Sequence, residues 1–237
     1  MFKKISAVLV GLLLVKSFVT AMPKIEFTMD YNCLSECKSS IAFTGSNVFS
    51  TFYDDMVSKN IRSPAGLGAS ASIFLGSPAK NLDLGIGTSV NYNAFSDCTM
   101  DGKKVKTDNG YIVSFAFGPA LRYTIGHHTS IYFSPGVRFN IQNIKTKPSF
   151  GGNLNYKEKN LMVNLSAGIR EWLFATGKTN IGLDAGVDVA FPVNSFNTIN
   201  YKADDGTTLD SSYKVKNGRF VKFYIGMCLN FGNPVSE

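Results

Sequence analysis

The chain has 237 residues, of which 44% are hydrophobic, 13% aromatic and only 17% charged; 24 basic and 17 acidic side chains give a formal net charge of +7. A charged share below the usual ~25% excludes a heavily solvated or disordered chain, and basic residues that form no single block speak against a nucleic-acid-binding surface. The length suits one all-β domain better than two.

The amino end carries an export signal. Lys3 and Lys4 precede an apolar run from Ile5 to Val15, and Val19-Thr20-Ala21 has the small residues of a cleavage site. Residues 1–21 therefore read as a cleaved secretory signal and 22–237 as a single mature domain. A spanning helix needs roughly 20 apolar residues, more than this run supplies. Cleavage would take three lysines and no acid from the formal +7, leaving +4. Cys33 is not preceded by the Leu-x-x pattern of a lipoprotein signal.

Beyond Ala21 the dominant signal is a two-residue period, which in a strand sends alternate side chains to opposite faces. Ile25, Phe27, Met29 and Tyr31 alternate with Glu26, Thr28 and Asp30, which predicts a first strand; Ile41 to Gly45 is a weaker rival for that place. A long first connection, Asn32 to Ser63, then follows. Within it Val48, Phe49, Phe52, Met56 and Val57 have approximate helical spacing, which suggests either a short rim helix or an irregular loop.

The next strands are read in the same way. Leu67 to Leu75 and Leu82 to Tyr92 flank a turn at Gly76-Ser77-Pro78-Ala79-Lys80. Tyr111 to Tyr123 and Ile131 to Ile141 flank Gly126-His127-His128-Thr129, and Leu161 to Ile169 and Ile181 to Phe191 flank Thr176-Gly177-Lys178-Thr179. The last strand sets Val221, Phe223, Ile225, Met227, Leu229 and Phe231 against Lys222, Tyr224, Gly226, Cys228 and Asn230. Near Glu171 the period would place a charge on the apolar side and Trp172 inside, so a bulge after Arg170 is expected to turn Trp172 outward into an aromatic girdle with Tyr123 and Phe231.

Long polar stretches, Asn93 to Asn109, Asn143 to Asn160 and Asn194 to Gly218, alternate with the short turns. In an antiparallel meander that alternation puts every short turn at one end and every long loop at the other, the asymmetry of outer-membrane barrels with periplasmic turns and extracellular loops. The face opposite the apolar one is rich in Gly, Ser and Ala, with one or two charges per strand. A soluble lipocalin-like barrel or a sandwich would carry long charged side chains there, because that face would meet water. The expected fold is thus all-β: an eight-stranded antiparallel up-and-down transmembrane β-barrel in a bacterial outer membrane, with small residues filling a narrow interior.

The pattern over the mature chain resembles the small eight-stranded outer-membrane barrel superfamily, which includes the OmpA barrel domain, OmpX, OmpW and the opacity-type surface antigens. Gly226-x-x-Leu229-x-Phe231 is similar to that superfamily's carboxy-terminal assembly signal. The resemblance implies outer-membrane lipid and the barrel-assembly machinery as partners, and a Gram-negative-type cell.

Function must come from sites. Glu26, Asp30, Asp83, Asp184 and Asp188 face Arg122, Arg138, Arg170 and Lys222 in the expected lumen, and an unpaired charge there would cost several kcal/mol. A bonded network that plugs the barrel follows as the expectation. The chain then acts as a monomeric structural or surface-interaction protein, its extracellular loops meeting a host or other external ligand. The alternative is an OmpW-like conduit for small, often hydrophobic solutes, favoured if Phe74, Ile112, Met162 and Tyr224 line one connected cavity. His127 and His128 sit in a turn at the periplasmic end, away from where outer-membrane hydrolases act. No enzyme, cofactor or metal site is expected, since adjacent histidines do not readily share one ion. Gly85-x-Gly87 lacks the third glycine and the helix of a nucleotide loop. Among the cysteines, Cys33 or Cys37 can bridge to Cys98, with Cys33–Cys37 as the local alternative; Cys228, at the far end of the barrel, is expected to be unpaired.

Overall fold

The computed structural model describes residues 24–42, 56–61, 65–100, 103–126, 128–147, 152–176, 179–202 and 204–231. Nine strands run in chain order: β1 (Lys24–Ala42), β2 (Met56–Ile61), β3 (Ala65–Ala79), β4 (Leu82–Met100), β5 (Lys103–Ile125), β6 (Thr129–Thr146), β7 (Asn153–Thr176), β8 (Thr179–Lys202) and β9 (Thr208–Phe231). All pairings are antiparallel, and β1 pairs with β9, closing the sheet on itself.

The nine strands make eight staves. β2 and β3 both pair with β1, through Cys37↔Ile61 and Cys33↔Ala65, and the two pairs stand four residues apart on either side of the ladder. On the other side Asn60↔Thr99 and Gly66↔Asn93 likewise keep one register against β4. β2 is therefore the continuation of β3 along one stave. Crossing the ladder from Lys24 through Phe74, Gly85 and Ala120, then, with the β5–β6 register continued across its gap, through Ser134, Ser166, Asp188 and Lys222, returns to β1 at Leu34, ten residues further on. A stagger of that size on eight strands corresponds to a tilt of about 40° and an interior only wide enough for side chains.

The alternation decides what faces out. Phe115, Phe117, Val137, Phe139, Leu161, Val163, Leu165, Phe223, Ile225 and Met227 are exposed large apolar side chains on the outer surface, while their strand neighbours Ser114, Arg138, Asn164 and Lys222 are buried inside. A continuous apolar outer belt with a polar interior is the inverse of a soluble barrel and is the surface that lipid accepts. Among the described residues no helix is long and apolar enough to cross a membrane; strands do the crossing.

Three expectations need correction. The polar stretches read as long loops are for the most part strand: β4 and β5 pair out to Met100↔Lys103, β6 and β7 to Thr146↔Leu154, and β8 and β9 to Lys202↔Thr208. Their ladder hydrogen bonds do not need an apolar face. At ~3.3 Å per residue and this tilt, a 24-residue strand such as β7 rises roughly 60 Å, against an apolar belt of about 25 Å. The first connection is shorter than read for the same reason. β1 runs through the first candidate strand and on to Ile41 and Ala42, where the rival begins, and Met56 and Val57 belong to β2 rather than to a helix; residues 43–55, with the rest of the rival, lie outside the described residues.

The third correction concerns Trp172. It is buried in the lumen at 5% exposure, its indole N–H donating to Ser130 Oγ at 3.1 Å, while Glu171 is outside and accepts from Thr129 Oγ1 at 2.6 Å. The register shift falls between Trp172 and Phe174, so the alternation holds through Trp172, and Leu173 and Phe174 both turn outward. A lumen partner for the indole N–H outweighs a place in the girdle.

The β5–β6 seam has a gap. The β5–β6 ladder is paired up to Phe117↔Val137 and resumes at Leu121↔Phe133. Continuing the register across the gap sets Pro119 opposite Pro135. Neither has an N–H to donate, so the ladder loses hydrogen bonds at mid-belt; Pro119 O instead accepts from the Ser134 hydroxyl at 2.8 Å.

Candidate functional site

The inward parity of the strands brings eight of the nine expected lumen charges together. Glu26, Asp83, Arg122, Arg138, Arg170, Asp184, Asp188 and Lys222 are all buried; the side chain of Asp30 lies outside the described residues. They form two clusters on one axis.

The cluster nearer the short turns is built from β1, β3, β4, β5, β7 and β8. Arg122 places Nε 3.0 Å and Nη2 2.5 Å from Asp83 Oδ2 and bonds Glu26 through Nη1. Glu26 also accepts from Arg170, which stands 3.5 Å from Asp184. Ser77 donates to Asp83. Glu26 thus bridges two guanidiniums whose mutual repulsion would otherwise separate them. Trp172, Ser130 and Thr124, all buried, lie on the turn side of this cluster.

The second cluster draws on β4, β5, β6, β7, β8 and β9. Arg138 donates to Asp188 Oδ2 at 2.5 Å, to Asn164 Oδ1 at 2.8 Å and to Ser114 Oγ at 3.1 Å. Lys222 Nζ lies 2.9 Å from Asp188 Oδ2 and 2.8 Å from Asn91 Oδ1, and Ser166 donates to Asp188. Each cation of the two clusters also rests on an aromatic ring: Arg122 on Phe74 at 4.5 Å, Arg138 on Phe220 at 4.7 Å, Arg170 on Tyr132 at 4.2 Å and Lys222 on Tyr224 at 4.7 Å. Ring faces hold the cations where water is scarce. A Cβ on Gly168 or Gly186 would collide with the Tyr132 hydroxyl, so glycine at both positions makes the space that ring needs.

Four acids and four bases balance across the two clusters. The partners Asn91, Ser114, Asn164, Ser166 and Ser77 were not singled out from the sequence, although parity places Asn91, Asn164, Ser114 and Ser166 on the inner face. Glu158 was read as part of an external loop. It is buried and accepts from Tyr156 Oη at 2.7 Å and from Asn160 Nδ2 at 2.5 Å, so the polar filling continues into the projecting hairpins.

A cavity of about 70 Å³ lies between the clusters and the small-residue wall of β3–β6, lined by Ser72, Gly87, Ala120, Ser134, Arg138 and Lys222 among others. It has room for a few water molecules. Phe74 and Tyr224 line it, whereas Ile112 and Met162 are buried further along the lumen and do not. The four apolar inward residues therefore do not all line this cavity. Cys228 is free and buried, as expected; the side chains of Cys33, Cys37 and Cys98 lie outside the described residues. Gly226, Leu229 and Phe231 lie on β9 at its closing seam, Leu229 opposite Phe27 and Phe231 opposite Ile25. His128 is exposed at the short-turn end, its carbonyl accepting from Trp172 N at 2.7 Å; His127 lies outside the described residues. No group of three or more potential metal ligands occurs among the described residues.

No protein-family model and no curated protein sequence matches the chain. Solved structures do. The outer membrane protein OprG from Pseudomonas aeruginosa superposes with a TM-score of 0.59 at 9% identity, covering 90% of this chain and 97% of that one. The fold is that of the small bacterial outer-membrane β-barrels. Other barrels of this kind match less well: a major outer membrane protein from Thermus thermophilus gives 0.48 at 14% identity, covering 89% of this chain and 100% of that one. The outer membrane protease OmpT from Escherichia coli gives 0.42 at 8% identity, covering 91% and 100%. A shared fold carries no activity with it.

Proposed function

We propose that the chain is a non-enzymatic outer-membrane barrel with a largely plugged lumen, exported by a signal at 1–21 and inserted by the barrel-assembly machinery through Gly226, Leu229 and Phe231. Its role is structural, or is exercised on a host or other external ligand by the projecting hairpins β4–β5, β6–β7 and β8–β9. The two ion-pair clusters carry this reading. Arg122, Arg170 and Glu26 on one level and Arg138, Asp188 and Lys222 on the next draw on six of the eight staves, and Trp172 stands on the turn side of them. Opening such a path would separate buried charges, at about 3–5 kcal/mol for each pair broken. The test is conductance in planar bilayers: the wild-type barrel should stay silent, whereas Arg138→Ala with Lys222→Ala should show openings. Steady conductance by the wild type would contradict the plug.

A second reading, a conduit for small hydrophobic solutes, is favoured by one observation. The cavity lining includes outward-facing Phe117, Leu121 and Phe133 beside the inward Ser134 and Ala120, at the seam where Pro119 and Pro135 interrupt the ladder. A solute leaving sideways there would give no ionic conductance, so uptake of a small apolar dye into vesicles separates the two readings.

A further inference from the structure

Immediately beyond the apolar belt, on the hairpin side, the outer face of β6–β7 changes from aliphatic to basic. Outward Leu161 and Val163 on β7 are preceded along the strand by Lys159 and Lys157, and outward Phe139 on β6 is followed by Lys145 beyond Ile141 and Asn143; the three lysines are exposed. The register sets Lys159 opposite Ile141, Lys157 opposite Asn143 and Lys145 opposite Asn155. Lys157 and Lys159 are two residues apart on one face, and Lys145 lies on the diagonal from Lys157, so their Cα atoms fall within about 7–8 Å of a neighbour.

Nothing opposite them neutralises this charge. Across the other ladders Lys145 faces Asn109, Lys157 faces Thr198 and Lys159 faces Phe196, and Glu158 points into the lumen. Like charges this close are unfavourable unless an anion joins them. Between the lysines lie two unfinished amides. Asn143, on the outer face by its strand parity, is only 3% exposed, and its Oδ1 and that of Asn155 have no hydrogen-bond partner. A buried polar atom without a partner costs about 1–3 kcal/mol, and a hydroxyl of a sugar or glycerol headgroup would satisfy it.

We propose that Lys145, Lys157 and Lys159, with Asn143 and Asn155, bind the phosphorylated headgroup of a lipid in the adjacent leaflet, whose chains lie along Phe139, Leu161 and Val163. This rests on the reading of the chain as a membrane barrel. Continuity of the lysines with the belt commits the site to a lipid rather than to free phosphate. A headgroup phosphate held by its own chains at this level meets all three ammonium groups without ordering a free ion.

The test is native mass spectrometry of the whole chain refolded into vesicles of phosphatidylcholine containing a minority of phosphatidylglycerol, scoring which lipid stays bound on release. The wild type should retain phosphatidylglycerol preferentially. Lys145→Gln/Lys157→Gln/Lys159→Gln should lower that preference by at least about tenfold, since each basic residue near a membrane surface contributes appreciably to anionic-lipid binding. The Lys→Arg triple variant should keep it. Raising salt from about 0.05 M to about 0.5 M should weaken it in the wild type, a readout that needs no variant to fold. Inorganic phosphate in excess should not displace the lipid; displacement would move the site to the free ion and overturn the lipid assignment. Equal lipid selection by wild type and the Gln variant, or none by the wild type, would overturn the site. The unboiled-gel shift of the same samples tests the barrel separately, so the two failures are distinguishable.

Discussion

At the scale of single residues the lumen is a problem of charge pairing. Asp188 holds both Arg138 and Lys222, so removing it strands two buried cations at once. Asp188→Asn is expected to lower unfolding stability by at least about 3–5 kcal/mol, read as a fall in the urea midpoint of the barrel in vesicles. Replacing Arg138, Asp188 and Lys222 together by apolar residues of similar size should cost less than Asp188→Asn alone, because no charge is left unpaired. If the single change is silent, the cluster does not hold the lumen. The parity of the strands already placed these charges on one face in the sequence. Which acid meets which base was not legible there, because the partners are brought together by register: Arg122 meets Asp83 across 39 positions and Glu26 across 96. Trp172 shows the opposite failure. Simple alternation put it inside, and a bulge was invoked one step too early to turn it out; its bond to Ser130 depends on a neighbouring strand that no local pattern reveals.

At the scale of strands, the sequence was readable wherever one face was apolar, from Leu67 to Leu75 and from Val221 to Phe231. It was unreadable where both faces are polar. Asn153 to Asn160 continues β7 with Tyr156, Glu158 and Asn160 inside and Lys157 and Lys159 outside, an alternation of polar with polar that a hydrophobic period cannot register. The same blindness turned β2 and the far half of β1 into a loop. The β5–β6 seam lacks ladder pairing where Pro119 and Pro135 meet. Pro119→Val with Pro135→Val restores two backbone donors facing each other, each worth about 1 kcal/mol net, provided the β-branched side chains are accepted by lipid. The double variant should therefore unfold at a higher urea concentration than the wild type and take up less apolar dye. A lower midpoint would mean that the prolines fit a strained crossing that valine cannot adopt.

At the scale of the molecule, an eight-stave barrel with an apolar outer belt, two clusters of paired charges in its interior and strands that outrun the bilayer describes a protein held in the membrane by its middle and offering its upper hairpins to the outside. The closure is made by β1 with β9 through pairs from Ile25↔Phe231 to Ile41↔Val215, so the first and last strands must find each other before any part of the ring is complete. That dependence makes the folded state all-or-none, and it can be read directly. The measurement is electrophoretic mobility without and with boiling, on the chain refolded into detergent or vesicles. A compact fast band that shifts only on boiling is the expected result for a ring with no free edge. No shift, together with solubility in the absence of detergent, would contradict the membrane barrel.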